Sequence, residues 1–204
     1  MKIAREAGQR NVDLSFQLLR CAAQMRESGV EPEPRRLLAV LSQAHSHAPI
    51  TYAVLPYMRS SDPRVRSQAA RLIARSGASL EWTLRHLADP DARVRANIVE
   101  GIAASPEPRR LLEALRRAAQ DPHHRVATTA LVVLIRLGEE AASDTLRKIA
   151  AHPDPRFRCA AAWAMGELGR QEFEPLLRGL REDPSHAVRF CALRALIRYR
   201  RRAS

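Results

Sequence analysis

Histidine and cysteine are the residues with the most versatile chemistry in this 204-residue chain, and their spacing supports little of it. The histidines are His45, His47, His86, His123, His124, His152 and His186. Four of them, His123, His124, His152 and His186, fall on copies of one turn phrase. They would line one edge of an array, but no carboxylate or cysteine stands at a fixed spacing to complete a metal site. Cys21, Cys159 and Cys191 form no CxxC, and an odd, scattered set argues for reduced thiols rather than a disulfide framework. GxGxxG, P-loop, HExxH and GxSxG motifs are all absent from the sequence. The expectation is a protein without catalytic residues, metal or cofactor.

Charge is the second chemical signal. The formal net charge is +12, nearly all of it arginine, since Lys2 and Lys148 are the only lysines. Such an excess suits an anion-binding surface, nucleic acid included. It is spread along the chain, however, with one dense run, "RYRRR" (Arg198–Arg202). The hydrophobic share is 46% with only 4% aromatic, so the core must be built from Ala, Leu, Val and Ile. The longest apolar run, "CAAAWAM" (Cys159–Met165), is too short to span a membrane. The first ten residues lack the apolar centre of a signal peptide, and a cytoplasmic location is expected.

What positions these residues is a repeat. "SSDPRVR" (Ser60–Arg66), "DPDARVR" (Asp89–Arg95), "DPHHRVA" (Asp121–Ala127), "HPDPRFR" (His152–Arg158) and "DPSHAVR" (Asp183–Arg189) are copies of one phrase. Their apolar anchors, Val65, Val94, Val126, Phe157 and Val188, are separated by 29, 32, 31 and 31 residues. A period near 31 signals stacked units. Amphipathic helical runs flank every phrase, and no alternating strand pattern occurs. The phrase is therefore the turn between two antiparallel helices. Three residues before the anchors stand Asp62, Asp91, His123, Asp154 and Ser185, a column expected to cap the second helices. Pro90, Pro122, Pro153 and Pro184 stop the first helices, and Gly77, Gly138 and Gly169 end second ones. "EPEPRRLLAVL" (Glu31–Leu41) reads as a degenerate sixth copy with Arg36 as its anchor, preceded by a helix over Asn11–Ser28.

The phrase and its following helix, best seen in "HPDPRFRCAAAWAMGELG" (His152–Gly169), resemble HEAT repeats of the short bacterial type named after phycobilisome lyases. The resemblance covers roughly residues 30–200. It implies an all-α, right-handed α-α superhelix of about six antiparallel helix pairs. Residues 1–45 would be an atypical N-terminal cap, 46–198 five repeats and 199–204 a basic tail, all one solenoid. It also implies a ladder between repeats, formed by the turn Asp and by Arg66, Arg95, Arg158 and Arg189. Ala127 breaks that column and His123 replaces the cap in the same repeat, so the weakest joint is expected there. The family's di-iron hydroxylases use His-Glu dipeptides, and this chain has none. The alkylpurine glycosylases of the wider class need an acid and aromatics on the second-helix face, where Glu100, Glu167 and Trp163 are the only candidates.

Binding is expected on the concave face, lined by second helices. Helical geometry sends positions 2, 6 and 9 after each anchor away from the core. In the last three repeats those positions hold Val132, Ile135, Cys159, Trp163, Phe190, Arg194 and Ile197. Arg136 and Arg198 rim them, and Arg71 occupies the same column earlier in the chain. An apolar centre with a charged rim marks a protein or peptide site; alternatively, neighbouring second helices bury these side chains between them. The expected function is a non-catalytic scaffold for a protein or peptide partner, acidic in character. A nucleic-acid-binding solenoid and an accessory subunit of a chromophore lyase are the alternatives.

Overall fold

The computed structural model describes residues 17, 20, 33–42, 51 and 54–203. The helix expected over Asn11–Ser28, along with Cys21, His45 and His47, lies outside the described residues save for positions 17 and 20. Ten α-helices and no strands occur among the described residues. The chain divides into two compact units, residues 1–111 and 112–204.

In the first unit, α1 spans Pro34–Leu41, α2 Pro63–Arg75, α3 Leu80–His86 and α4 Ala92–Ala103. Its core joins Leu37, Leu38 and Leu41 of α1 to Val54, Tyr57, Val65, Ala69, Leu72 and Ile73, with Met58 and Trp82 packed at the edge. The run around Tyr57 was expected to be a helix. It is instead a short 3-10 turn, Leu55–Arg59, with Pro56 at its start. Proline's missing N–H and fixed φ suit the opening of a turn but not a helix interior.

In the second unit, α5 spans Leu112–Ala118, α6 His124–Arg136, α7 Ala141–Ala150, α8 Pro155–Leu168, α9 Glu174–Gly179 and α10 His186–Ala203. The second helices α6, α8 and α10 pack side by side, and α5, α7 and α9 pack against them. Leu115, Leu131, Ile135, Leu146, Met165, Phe173 and Leu177 are fully buried. The basic segment 199–203 is no separate tail, because α10 continues through it and Tyr199 is buried.

Adjacent second helices touch almost backbone to backbone. A Cβ built on Gly101 of α4 would lie 2.6 Å from the Arg71 carbonyl oxygen and from Ala74 Cβ. On Gly166 of α8 it would lie 2.8 Å from Ala195 Cα of α10. Ninth after the anchor on one helix meets seventh after the anchor on the next. Each of these two crossings pairs a glycine with an alanine, in opposite order.

The turn phrase builds two nested side-chain caps. The Oδ1 of Asp62, Asp91 and Asp154 accepts from the amides of Arg64, Arg93 and Arg156 at 2.7–2.8 Å. Two residues earlier, Ser60, Asp89, Asp121, His152 and Asp183 each accept from the amide at the cap position. The arginine after the anchor closes the turn. Arg66, Arg95, Arg158 and Arg189 all donate to two carbonyls of their own turn. Arg66 also reaches Asp89 at 3.2 and 3.3 Å, and Arg158 reaches Asp183 at 2.7 and 2.9 Å, each in the next repeat. Arg66 and Arg158 thus form two rungs of the ladder expected from the resemblance.

The fourth repeat departs as its sequence foretold, but not by losing its cap. His123 Nδ1 accepts from the Arg125 amide at 3.3 Å, a longer bond than the aspartate caps make. Ala127 is buried, and its expected rung partner is also changed, since His152 stands where the other turns have Asp or Ser. Rings fill the gap. His123 stacks on His124 at 4.4 Å, His124 meets Phe157 edge-on at 5.9 Å, and Phe157 stacks on His152 at 4.2 Å.

Two outcomes follow from these turns. The Arg125 amide should exchange with deuterium faster than the Arg156 amide, whose aspartate cap is shorter and charged; residue-resolved exchange measures the difference directly. The Asp183–Arg158 rung is the least exposed ion pair among those described, at 6% and 14% side-chain exposure. Asp183→Ala should cost about 2 kcal/mol, the scale of a charged hydrogen bond whose partner is left behind. The Arg158 guanidinium holds the Asp183 carboxyl below the usual carboxylate range. Its stabilisation is therefore present above the unfolded carboxylate's pKa and lost as pH falls through the lower native one. Acid titration followed by circular dichroism should show a shallower loss in the variant than in the parent.

Candidate functional site

The second helices of the second unit carry most of the residues that the repeat pattern nominates, and the structure sorts them into three groups. Val132 and Ile135 are buried, at 4% and 1% exposure, and are removed from the candidate surface. The reason is local. Every residue of α6 from Val126 to Ile135 is buried, as befits a helix apolar on all sides. Ile135, nine after its anchor, sits in the seam between helices rather than facing outward. Cys159, two after its anchor, is half-buried in the next seam.

The second group is exposed and faces outward. Trp163 of α8 is 39% exposed, with Arg194 at the equivalent position of α10. Arg136 donates to the Glu167 carbonyl at 3.1 Å and lies 3.8 Å from its carboxylate. Arg198 pairs with the same carboxylate from the other side. Glu167 thus ties the two arginines into a row running across α6, α8 and α10, parallel to the Trp163–Arg194 row. Part of the rim charge is neutralised within the protein. Arg71 belongs to the first unit, where it lies exposed on α2, 3.6 Å from Glu100 of α4. Sequence spacing put Arg71 in the same column as Trp163, and it has an acidic neighbour instead of an aromatic one.

The third group is Phe190 and Ile197, 53% and 48% exposed, on a different flank of α10. Leu193, which the outward-facing columns left out, completes this flank at 47%. The Arg194 guanidinium stands 5.8 Å from the Phe190 ring centre, a cation–π contact at the border between the two groups. The signal for Leu193 was present in the sequence. Position five after the anchor is Ala70, Val99, Leu131 and Ala162 in the earlier repeats. All four are buried, so that column belongs to the seam between helices.

Among the described residues, no three His, Cys, Asp or Glu side chains stand where they could hold a metal ion. Glu100 and Trp163 lie in separate units, and Glu167 is engaged by two arginines. No described helix is long and apolar enough to cross a membrane. The pair that sequence did not suggest is Cys159 with Cys191, on facing sides of α8 and α10. Burial, and the neighbouring Cys191 thiol, push the Cys159 thiol up to about 12. A thiol so poorly ionised is a weak nucleophile. Cys159 should therefore resist alkylation by iodoacetamide at neutral pH in the native protein and react on unfolding, as mass spectrometry of labelled peptides would show.

The repeats family model described as "HEAT repeats" matches residues 80–155 and 143–204. Among solved structures, an engineered protein from a structural genomics consortium is similar over 93% of this chain and 90% of its own, at 15% identity and TM-score 0.48. A designed armadillo repeat protein is similar over 87% and 99%, at 19% identity and TM-score 0.43. Computationally designed armadillo repeat proteins for modular peptide recognition are similar over 89% and 98%, at 18% identity and TM-score 0.42. No curated protein matches the sequence. With the family match spanning more than half of the residues, over helix pairs joined by one repeated turn, the chain belongs to the HEAT-repeat family.

Proposed function

We propose that this protein is a non-catalytic scaffold that binds a protein or peptide partner on the second-helix face of residues 112–204. The observation that carries the reading is Trp163. A tryptophan left 39% exposed on a rigid helix, with arginine in the equivalent position of the next helix, brings together two of the residue types enriched at interaction hot spots. Rigid helices present such an anchor at low entropic cost. The fold supports this reading in a second way, because repeat solenoids present extended surfaces without needing a pocket. The turn phrase and "CAAAWAMGELG" support placing the chain with the short, phycobilisome-lyase type of HEAT repeat, in a single solenoid of about six pairs.

The partner is acidic on this reading, since Arg194 stands beside the aromatic anchor and the chain carries a net charge of +12. Simple phosphate tracking is a poorer fit. Arg66, Arg95, Arg158 and Arg189 are committed to turn carbonyls, and Arg136 and Arg198 to Glu167. Nucleic-acid affinity built on the remaining arginines would collapse with added salt, as counterion release requires.

Trp163→Ala should weaken binding of the native partner by about 2 kcal/mol or more. Neutralising Arg200, Arg201 and Arg202 together should cost less at physiological salt, where exposed charges are screened within roughly 8 Å. Isothermal titration of the partner recovered by the intact protein measures both. Duplex or single-stranded DNA bound at submicromolar Kd in physiological salt, lost by the arginine variant and kept by the Trp163 variant, would reverse the assignment.

A further inference from the structure

Each second helix of the second unit has one flank that receives its neighbour. Two, five and nine residues after the anchor, α6 presents Thr128, Leu131 and Ile135, buried to 0%, 1% and 1% exposure. α8 presents Cys159, Ala162 and Gly166, covered by α10 at the Gly166–Ala195 crossing. α10 presents Phe190, Leu193 and Ile197 at the same three positions. Nothing among the described residues covers them, and they are the most exposed large apolar residues of the second unit. Spaced i, i+3 and i+7, they form one continuous stripe.

We infer that this flank of α10 docks an α-helix of a partner protein, one that carries small apolar residues along its contact line and carboxylates beside it. The repeat supplies the template for the shape. What meets the position nine after the anchor on α8 is Ala195, and on the first unit's α2 it is Gly101. In both crossings the incoming helix offers a small side chain and lets the backbones close together. A helix with Ala or Gly at its centre fits against Phe190, Leu193 and Ile197 in the same manner, receiving their larger side chains between its own turns.

Charge selects the occupant. Residues 186–203 contain six arginines, Arg189, Arg194, Arg198, Arg200, Arg201 and Arg202, and no Asp or Glu. Arg194 and Arg201 follow Phe190 and Ile197 by four residues each, so they stand on the stripe's own side of the helix. A second copy of this chain would bring its arginines against these, like charge on like, with no carboxylate on either flank. An acidic amphipathic helix meets both the stripe and the cations, and its carboxylates would steer the encounter. This surface borders the Trp163 row and shares only Arg194 with it, and the inference does not rest on the function proposed above.

The probe is a synthetic peptide of about 20 residues, long enough to hold a helix in water. Ala forms its contact line and Glu occupies the positions beside it. Titrated into the full chain and followed by fluorescence anisotropy, it should bind in low salt and, more weakly, in physiological salt. Leu193→Asp and Ile197→Asp should each weaken binding about tenfold or more. Trp163→Ala should leave it unchanged, which separates this surface from the other. The same peptide with Lys for Glu, or with a central proline that breaks its helix, should not bind. Phe190→Ser gives a third, milder variant, and thermal melts confirm that each folds. Absence of binding, equal binding by the Lys peptide, or binding that survives all three variants would overturn the inference. So would sedimentation showing a dimer that Leu193→Asp dissociates, since the occupant would then be a second copy.

Discussion

The arginine that follows each anchor is the constraint on which the stack depends. It sits on the first turn of a second helix and holds the two carbonyls left without partners where the first helix ends. In two places it also grips the aspartate of the next turn. One guanidinium thus satisfies orphan acceptors, fixes the angle between the helices of a pair and links consecutive repeats. Five donors in a rigid plane make this possible, and lysine could not replace it. The aspartate does as much from the other side, since it accepts the backbone amide at the cap position while receiving the arginine. Most of the phrase's strange density of Asp, Pro and Arg is this one hydrogen-bonded unit, written once per repeat.

Once the turn is fixed, the seam between second helices follows. At the α2–α4 and α8–α10 crossings the positions nine and seven after the anchor meet. Both crossings accommodate this with glycine on one side and alanine on the other, in opposite order. A side chain larger than Ala at both positions would force the backbones apart and strain the arginine's reach to the next turn. The two constraints reinforce each other, as expected of a fold whose stability is a sum of neighbour terms.

The sequence displayed this scaffold openly because its devices are local. The caps at Asp62, Asp91 and Asp154, the proline stops and the left-handed Gly77, Gly138 and Gly169 all lie within a few residues of what they act on. The candidate surface was less legible because exposure is decided between helices. A period of 3.6 states which residues point away from the first helix of a pair, but not which of these the next second helix will cover. Ile135 and Ile197 are the same column and the same residue type, yet one is buried and the other half exposed. Only the neighbour differs. Glu167 is the complementary case. Its two arginine partners lie 31 residues away on either side, and the repeat period itself holds that information.

Charge in this protein is therefore better understood by location than by total. The arginines on the turns are structural, and those flanking Glu167 are partly neutralised. Arg194 and Arg201 stand on α10 beside a helix flank that no described neighbour covers. Apolar surface and positive charge coincide there. A partner that satisfied only the charge would leave Phe190, Leu193 and Ile197 in water. One that satisfied only the apolar stripe would bury arginine without a counter-ion. Both requirements are met together by a carboxylate-bearing helix, and that conjunction narrows the occupant more than the net charge of the chain does.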